Sequence, residues 1–415
     1  MRFSELKESM LNGLTVMSLK QFVKAEDEDL SLEDDEDLLG ESRLFEKDGE
    51  FGLGSKYRNA SHKEMQDYLD RTVFKRKNKL DKFKMPYIHP SNIKKNADGS
   101  IPIIDENGDK YDLEVLKKAI TKRPKEILSQ NAKMKHSNGT ADVYYNMGMA
   151  ALVGLAVDES TGNFVIVNTC VGAGSCKLIC FAMHGSYIMF PGVSLRQSQV
   201  LNFLLNDPEG FKNQLIKEIQ KAYDKWHKYS DEEFTKGSVA VGIRVHDSAD
   251  FISPEYMELM WDVARTFPQI NFYAYTKVAS VANDKNKPDN FIINFSAGAL
   301  SNQSNLVNIK TTKHSHIVPK DLFYDLIARN GKTLIKTKEG AQQFKSQDAW
   351  EEFKERLSEK YDIEPDTILS YEEFMKKKFD NDLGDECYYN VVICPGEGDV
   401  SAVTPQVLGT YLLQH

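Results

Sequence analysis

From about residue 129 onward the chain alternates two kinds of apolar pattern. Short runs rich in β-branched and aromatic residues, ALVGLAVD, NFVIVNTC, SVAVGIRVHD, INFYAYTK and NFIINFSAG, read as strands. Between them SQVLNFLLN, EGFKNQLIKEIQKAYDKW and SPEYMELMWDVARTF place apolar residues at helical spacing. Strand, helix, strand in that order predicts right-handed crossovers and a parallel sheet, curled into a complete or partial TIM-like barrel. A last strand is read in YYNVVICPGEGDV, ending at Cys394. Residues 331–380 carry two charged helix patterns, QDAWEEFKERLSEKY and SYEEFMKKKF, the second opening on a capping box. They are read as a helical insertion on one edge of an α/β barrel domain spanning 129–415.

The patterning ahead of that domain is weaker. EDEDLSLEDDED, residues 26–37, repels itself and holds too little apolar material to fold alone. Residues 1–55 are therefore read as a partly flexible acidic segment, a solvated linker or tail, with docking of a basic partner as the functional alternative. Residues 56–128 read as a small accessory region. Turn signals on either side of IPII predict a hairpin there, DENGD is too short for a calcium loop, and LEVLKKAITKRPKEILSQ predicts a helix. The Lys- and Arg-rich stretch RTVFKRKNKLDKFK reads as a solvated helix face.

Composition narrows the classes. A hydrophobic share of 41% over 415 residues supports a packed core. The formal charge of −9 argues against non-specific grip on duplex nucleic acid, while leaving a nucleotide or nucleic acid substrate open. No apolar run has the length of a membrane span, and the first residues lack a signal-peptide core, so no membrane partner and a cytoplasmic location are expected. Five cysteines, an odd number and mostly clustered, suit a reducing compartment.

Three of those cysteines, Cys170, Cys176 and Cys180, lie in TCVGAGSCKLICFA, where a strand gives way to a glycine-bearing loop. Thiolates converging from one segment are the donor set of a metal or iron–sulfur centre. Three of them hold three irons of a [4Fe–4S] cluster and leave the fourth open to a ligand such as S-adenosylmethionine. Functional groups of parallel sheets collect at the carboxyl ends of the strands. Those ends carry His246, Asp247, Ser248 and Asp250, then Thr276 and Lys277, then Asn294. His246, Asp247, Asp250 and Lys277 are the candidate catalytic groups, and Ser248, Thr276 and Asn294 the candidate cofactor-binding ones.

The stretches SQNAKMKHSNG, CVGAGSCKLICFA, RVHDSADFISPEYMELMWDVARTFP, FYAYTK and VICPGEGD together resemble the bacteriophage gene product 88 family, related in pattern to radical S-adenosylmethionine barrels. The motifs carrying the resemblance are Cys-x5-Cys-x3-Cys-aromatic-Ala and the strand end Arg-x-x-Asp-Ser-x-Asp-Phe. The resemblance implies a cluster on Cys170, Cys176 and Cys180, with the turn from Asp247 to Asp250 where radical enzymes bind the methionine end of the cofactor. The cysteine spacing is wider than the common radical pattern, and Phe181 follows the third thiol instead of preceding it.

Two further readings stay open. A non-catalytic zinc protein would complete a tetrahedral site with Cys387, Cys394 or His184. His314 and His316 in KHSH, with Tyr388 or Tyr389, would alternatively supply the metal ligands and nucleophile of a nickase.

Overall fold

The structure, a computed structural model, describes residues 58–59, 113–130, 143–176, 180, 182, 191–227, 241–331, 333–335, 343–380, 382–383, 389–394 and 399–413. The chain divides into two units, residues 1–48 and 49–415, and every described residue lies in the second. The acidic block, the IPII hairpin, His184, Cys387 and Tyr388 lie outside the described residues.

The strands are β1 (Arg58–Asn59), β2 (Val143–Met147), β3 (Val153–Asp158), β4 (Asn163–Asn168), β5 (Val241–Val245), β6 (Asn271–Thr276), β7 (Phe291–Ser296), β8 (His314–Val318), β9 (Arg329–Asn330), β10 (Thr333–Leu334), β11 (Ile368–Ser370), β12 (Tyr389–Cys394) and β13 (Val407–Leu413). The helices are α1 (Leu113–Thr121), α2 (Pro191–Asn206), α3 (Pro208–His227), α4 (Pro254–Thr266), α5 (Ala279–Ala282), α6 (Ser301–Ser304), α7 (Gln347–Tyr361), α8 (Tyr371–Phe379) and α9 (Asp399–Val403).

Eight strands form one parallel sheet in the order β11-β12-β13-β8-β7-β6-β5-β2. The α/β class and parallel sheet match the sequence expectation, but the TIM-like barrel does not close. β2 and β11 are the outer strands, and no ladder joins them among the described residues. The physical reason is a reversal of strand order. From β2 to β8 each new strand is added on the same side of the last, whereas β11, β12 and β13 step back toward β8. Right-handed crossovers then require the two groups of helices on opposite faces.

The packing follows that rule. Aligned residues Tyr145, Ile243, Phe272 and Phe291 share one face, the last three buried and Tyr145 half-buried, in one core with Tyr256, Met260 and Trp261 of α4. Val391, Ile393 and Tyr411 on the same face pack on Trp350 and Phe353 of α7. The opposite face, with Tyr144, Tyr273 and Val392, is covered by Phe374 of α8 and by Ala402 and Val403 of α9. Helices on both faces make this an open, doubly wound sheet.

Local sequence explains the helices. In α4 the buried residues Tyr256, Met257, Met260, Trp261, Val263 and Ala264 recur at helical spacing, and each large one contributes about 1.5–3 kcal/mol by leaving water. Ser253 caps its start by accepting from the Tyr256 amide, and Pro254 takes the first turn, where its missing N–H costs nothing. The expected capping box is present at α8, between Ser370 and Glu373. Residues 331–380, expected as a helical insertion, supply α7, β11 and α8, so they also build one edge of the sheet.

Two of the expected sheet strands lie elsewhere. β3 and β4 pair antiparallel with each other, and β4 with β1, in a separate sheet. The ESTG segment between Asp158 and Asn163 is far too short for a crossover and makes a tight turn, with Gly162 at φ 71°.

Candidate functional site at the carboxyl edge of the sheet

The carboxyl ends of β5 and β6 are joined by one carboxylate. Asp250 accepts hydrogen bonds from the Thr276 hydroxyl (2.7 Å), the Lys277 amide (2.7 Å) and the Phe251 amide (2.8 Å). Burial is the main influence on this carboxyl and pushes its pKa up, while those three donors oppose it. The Asp250 amide in turn donates to the Thr169 carbonyl (2.7 Å), which ties the cysteine loop's entry to the same point.

The turn that carries Asp250 is unusual in its backbone. His246 and Ala249 adopt φ 66° and 78°, a left-handed region that side-chain-bearing residues avoid at about 1 kcal/mol or more each. Neighbouring bonds impose it: the Asp247 amide donates to Met147, Asp247 accepts from the Asn146 side chain, and the Ser248 hydroxyl donates to Met149 while accepting from Gln197.

The cysteine loop lies across the ends of β6 and β7. Leu300 donates to the Gly172 carbonyl (3.0 Å), and Gly174 and Cys176 donate to the Gly298 carbonyl (2.9 and 3.3 Å). A Cβ at Gly172 would fall 2.1 Å from the Lys277 carbonyl oxygen, and one at Gly174 would fall 2.7 Å from that of Ala299. Glycine is what permits this approach of backbone to backbone.

The three thiols act on one another. Cys170 is pushed up to about 12, by desolvation first, against a hydrogen bond from the Leu152 amide to its sulfur (3.2 Å); Asp250, Cys180 and Cys176 push the same way. As a donor set, three thiols on one loop with a backbone N–H already aimed at a sulfur suit an iron–sulfur or zinc centre. Among the described residues, no three Cys, His, Asp or Glu side chains stand together as a ready ligand group.

The candidate residues divide into two sets. Thr276, Lys277, Asp250 and the cysteine loop meet at the edge just described. The Lys277 ammonium donates to the Ser296 hydroxyl (2.9 Å), and no carboxylate pairs with it among the described residues. Asn294 lies on the α9 side of the sheet, donates to the Ala402 carbonyl (3.2 Å) and leaves its own buried side-chain oxygen without a partner.

His246 belongs to the other set, on the α4 side. It bonds the Tyr256 hydroxyl (2.8 Å), meets Phe251 edge-on, and is pushed down to about 3 by burial, which keeps it neutral. Asp247 and Ser248 hold the turn through their bonds to Met147, Asn146, Met149 and Gln197.

His314 and His316 lie on the α4 and α7 side of β8 among Tyr361 and Tyr411, both with pKa values lowered by burial. Cys394 is fully buried on β12 beside Ser401 (3.1 Å). Neither belongs to a metal-ligand group among the described residues.

Sequence reading missed Ser315 and Ile317 on β8 and Leu412 on β13, which share the α9 side of the sheet with Ser296. Their signal was weak, because β8 opens on the polar triplet His-Ser-His.

Fold and site together define an open parallel α/β protein with a cysteine loop fastened over the carboxyl edge of its sheet. A family model described as Gene product 88 matches residues 121–350, more than half of the chain, and the chain belongs to that family. No curated protein and no solved structure matches it. Among the described residues, no helix is long and apolar enough to cross a membrane.

Proposed function

We propose that this protein carries a thiolate-held iron–sulfur centre on Cys170, Cys176 and Cys180, placed at the carboxyl edge of the sheet beside Lys277. The observation that supports the reading best is the glycine-dependent seating of the loop, which fixes the backbone around Cys170 and Cys176 against β6 and β7. A loop with only a packing role has no need of three thiols. When bound, such a centre supplies one-electron chemistry and, with three protein thiolates, an iron open to a further ligand.

The chain's own part is to bind, orient and shield. Cys170 must lose its proton to act as a ligand, and burial opposes that until a cation compensates, so uptake is coupled to proton release. The Leu152 amide remains available to the resulting sulfur. The proposal stops short of S-adenosylmethionine. Asp250, expected at its methionine end, is engaged by Thr276, Lys277 and Phe251, and Asp247 by Asn146.

The test is iron, zinc and acid-labile sulfide content of protein purified and reconstituted without oxygen, beside a variant with Cys170, Cys176 and Cys180 all changed to Ala. Iron and sulfide in equal amounts, absent from the variant, is the expected result. Stoichiometric zinc without sulfide would replace the cluster with a structural metal, and no thiol-dependent metal of any kind would overturn the proposal.

A further inference from the structure

A central strand of a sheet covered on both faces ordinarily hides its aliphatic side chains. Ile317, the fourth of five residues in β8, is 46% exposed. It sits on the α9 side, paired with Leu412 of β13, which is only half-buried. β8 and β13 are the two strands where the order of addition reverses. In open α/β sheets that reversal leaves a crevice at the carboxyl ends, because the connections diverge to opposite faces.

Polar groups border this opening. Ser296 and Ser315 are aligned on the same side of β7 and β8, one residue pair below Ile317. Lys277 donates to Ser296 and makes no direct ion pair among the described residues, Asp250 acting on it only at longer range, so its ammonium keeps donors to spare. Asn294 lies one pair deeper on β7 with an unpartnered, fully buried oxygen. From Lys277 to Ile317 is two strands across and one residue pair along, about 10–12 Å at ordinary sheet spacings. A phosphate at one end and a flat ring at the other, as in a nucleoside monophosphate, span that distance.

We propose that this crevice binds a ring-bearing phosphomonoester, with Lys277 and Ser296 taking the phosphate and Ile317 and Leu412 lying against the ring. The site adjoins the proposed metal centre at Lys277 but uses none of its thiols, and it stands or falls without it. Apolar exposure supplies contact area, the Lys277 ammonium supplies orientation, and the serine hydroxyls supply hydrogen bonds to phosphate oxygens.

The experiment is calorimetric titration of the full-length protein with 5′-AMP and, separately, with inorganic phosphate. Wild type should bind 5′-AMP more tightly than phosphate. Lys277→Met should weaken 5′-AMP at least tenfold with thermal midpoint unchanged, and Lys277→Arg should recover most of the loss. Ile317→Asp, at an exposed position, should abolish the advantage of 5′-AMP over phosphate. No binding of either probe, or equal binding by wild type and Lys277→Met, overturns the proposal. Equal affinity for 5′-AMP and phosphate in wild type overturns the assignment of a ring to the Ile317 end. Because metal content is not a readout here, a failed titration leaves the iron–sulfur reading untouched.

Discussion

Replacing Gly172 by Ala tests whether the cysteine loop rests on the sheet as described. The new methyl group would fall 2.1 Å from the Lys277 carbonyl oxygen and 2.5 Å from its carbonyl carbon, more than an ångström inside ordinary contact. Both atoms are backbone, and the Lys277 amide is held by Asp250, so no side-chain rotation relieves the clash. The loop must lift. Lifting it strains or breaks the bonds from Leu300 to Gly172 and from Gly174 to Gly298. At about 1 kcal/mol for each of the two hydrogen bonds and about 1–3 kcal/mol for overpacking, the cost is roughly 3–5 kcal/mol. Denaturant unfolding should read it as a lower midpoint, and the metal content of the reconstituted variant should fall with it. Gly192→Ala is the matched control. That glycine is exposed in α2 with nothing within 4 Å of the added carbon, so the change should be neutral or stabilising by about 0.4–1 kcal/mol. A Gly172→Ala protein with wild-type midpoint and metal content would refute the seating of the loop.

Three other measurements bear on the fold. His246 is neutral when folded, with its pKa pushed down to about 3, and titrates near 6.5 when unfolded; His314 and His316 are lowered in the same direction. The unfolded chain therefore binds more protons below pH 6.5, and stability should fall as pH drops from 6.5 toward 3, by about 1.4 kcal/mol per pH unit for each such histidine. His316→Phe, which keeps a ring against Tyr361 and Tyr411, should make the slope between pH 6 and 5 shallower by about one proton; an unchanged slope counts against a neutral buried His316. Glu218 accepts from the Ile127 and Leu128 amides and the Gln214 side chain, so Glu218→Ala should cost about 2–4 kcal/mol in denaturant unfolding, with Glu218→Gln recovering part of it. A loss within about 0.5 kcal/mol, the range of an ordinary surface substitution, would show that those amides find other acceptors.

Much of the fold could be read where pattern and packing agree. The stripe of α4, its Ser253 cap and the Ser370 capping box follow from local chemistry alone, and each is present. The strands that escaped, VYYNM, HSHIV and VLGTYLL, are short and carry polar residues on the α9 side, which interrupts the apolar run a buried parallel strand normally gives. Their absence hid the order reversal, and without it the alternation of strand and helix reads as a barrel. The antiparallel hairpin of β3 and β4 was misplaced for a related reason, since apolar runs of that length do not state their partner.

At the site, Asp250, Thr276, Lys277 and the cysteine loop meet at the strand ends, where the rule for parallel sheets looks for groups. It could not tell which face His246 would take. A left-handed backbone at that residue, fixed by bonds from β2, turns the ring into the core.

The strand latest in sequence among those described, β13, does not lie at the rim of the sheet but between β8 and β12. As the chain leaves the ribosome, β8 must keep one side of its backbone unpaired until β13 has been made. Only then do the two halves of the sheet become one. Such late, long-range closure slows folding and leaves an open strand edge to neighbouring chains in the interval. A peptide with the β13 sequence, VLGTYLL, is accordingly the natural competitor for that edge, and premature termination before it would leave two unjoined half-sheets where the finished protein has a single one.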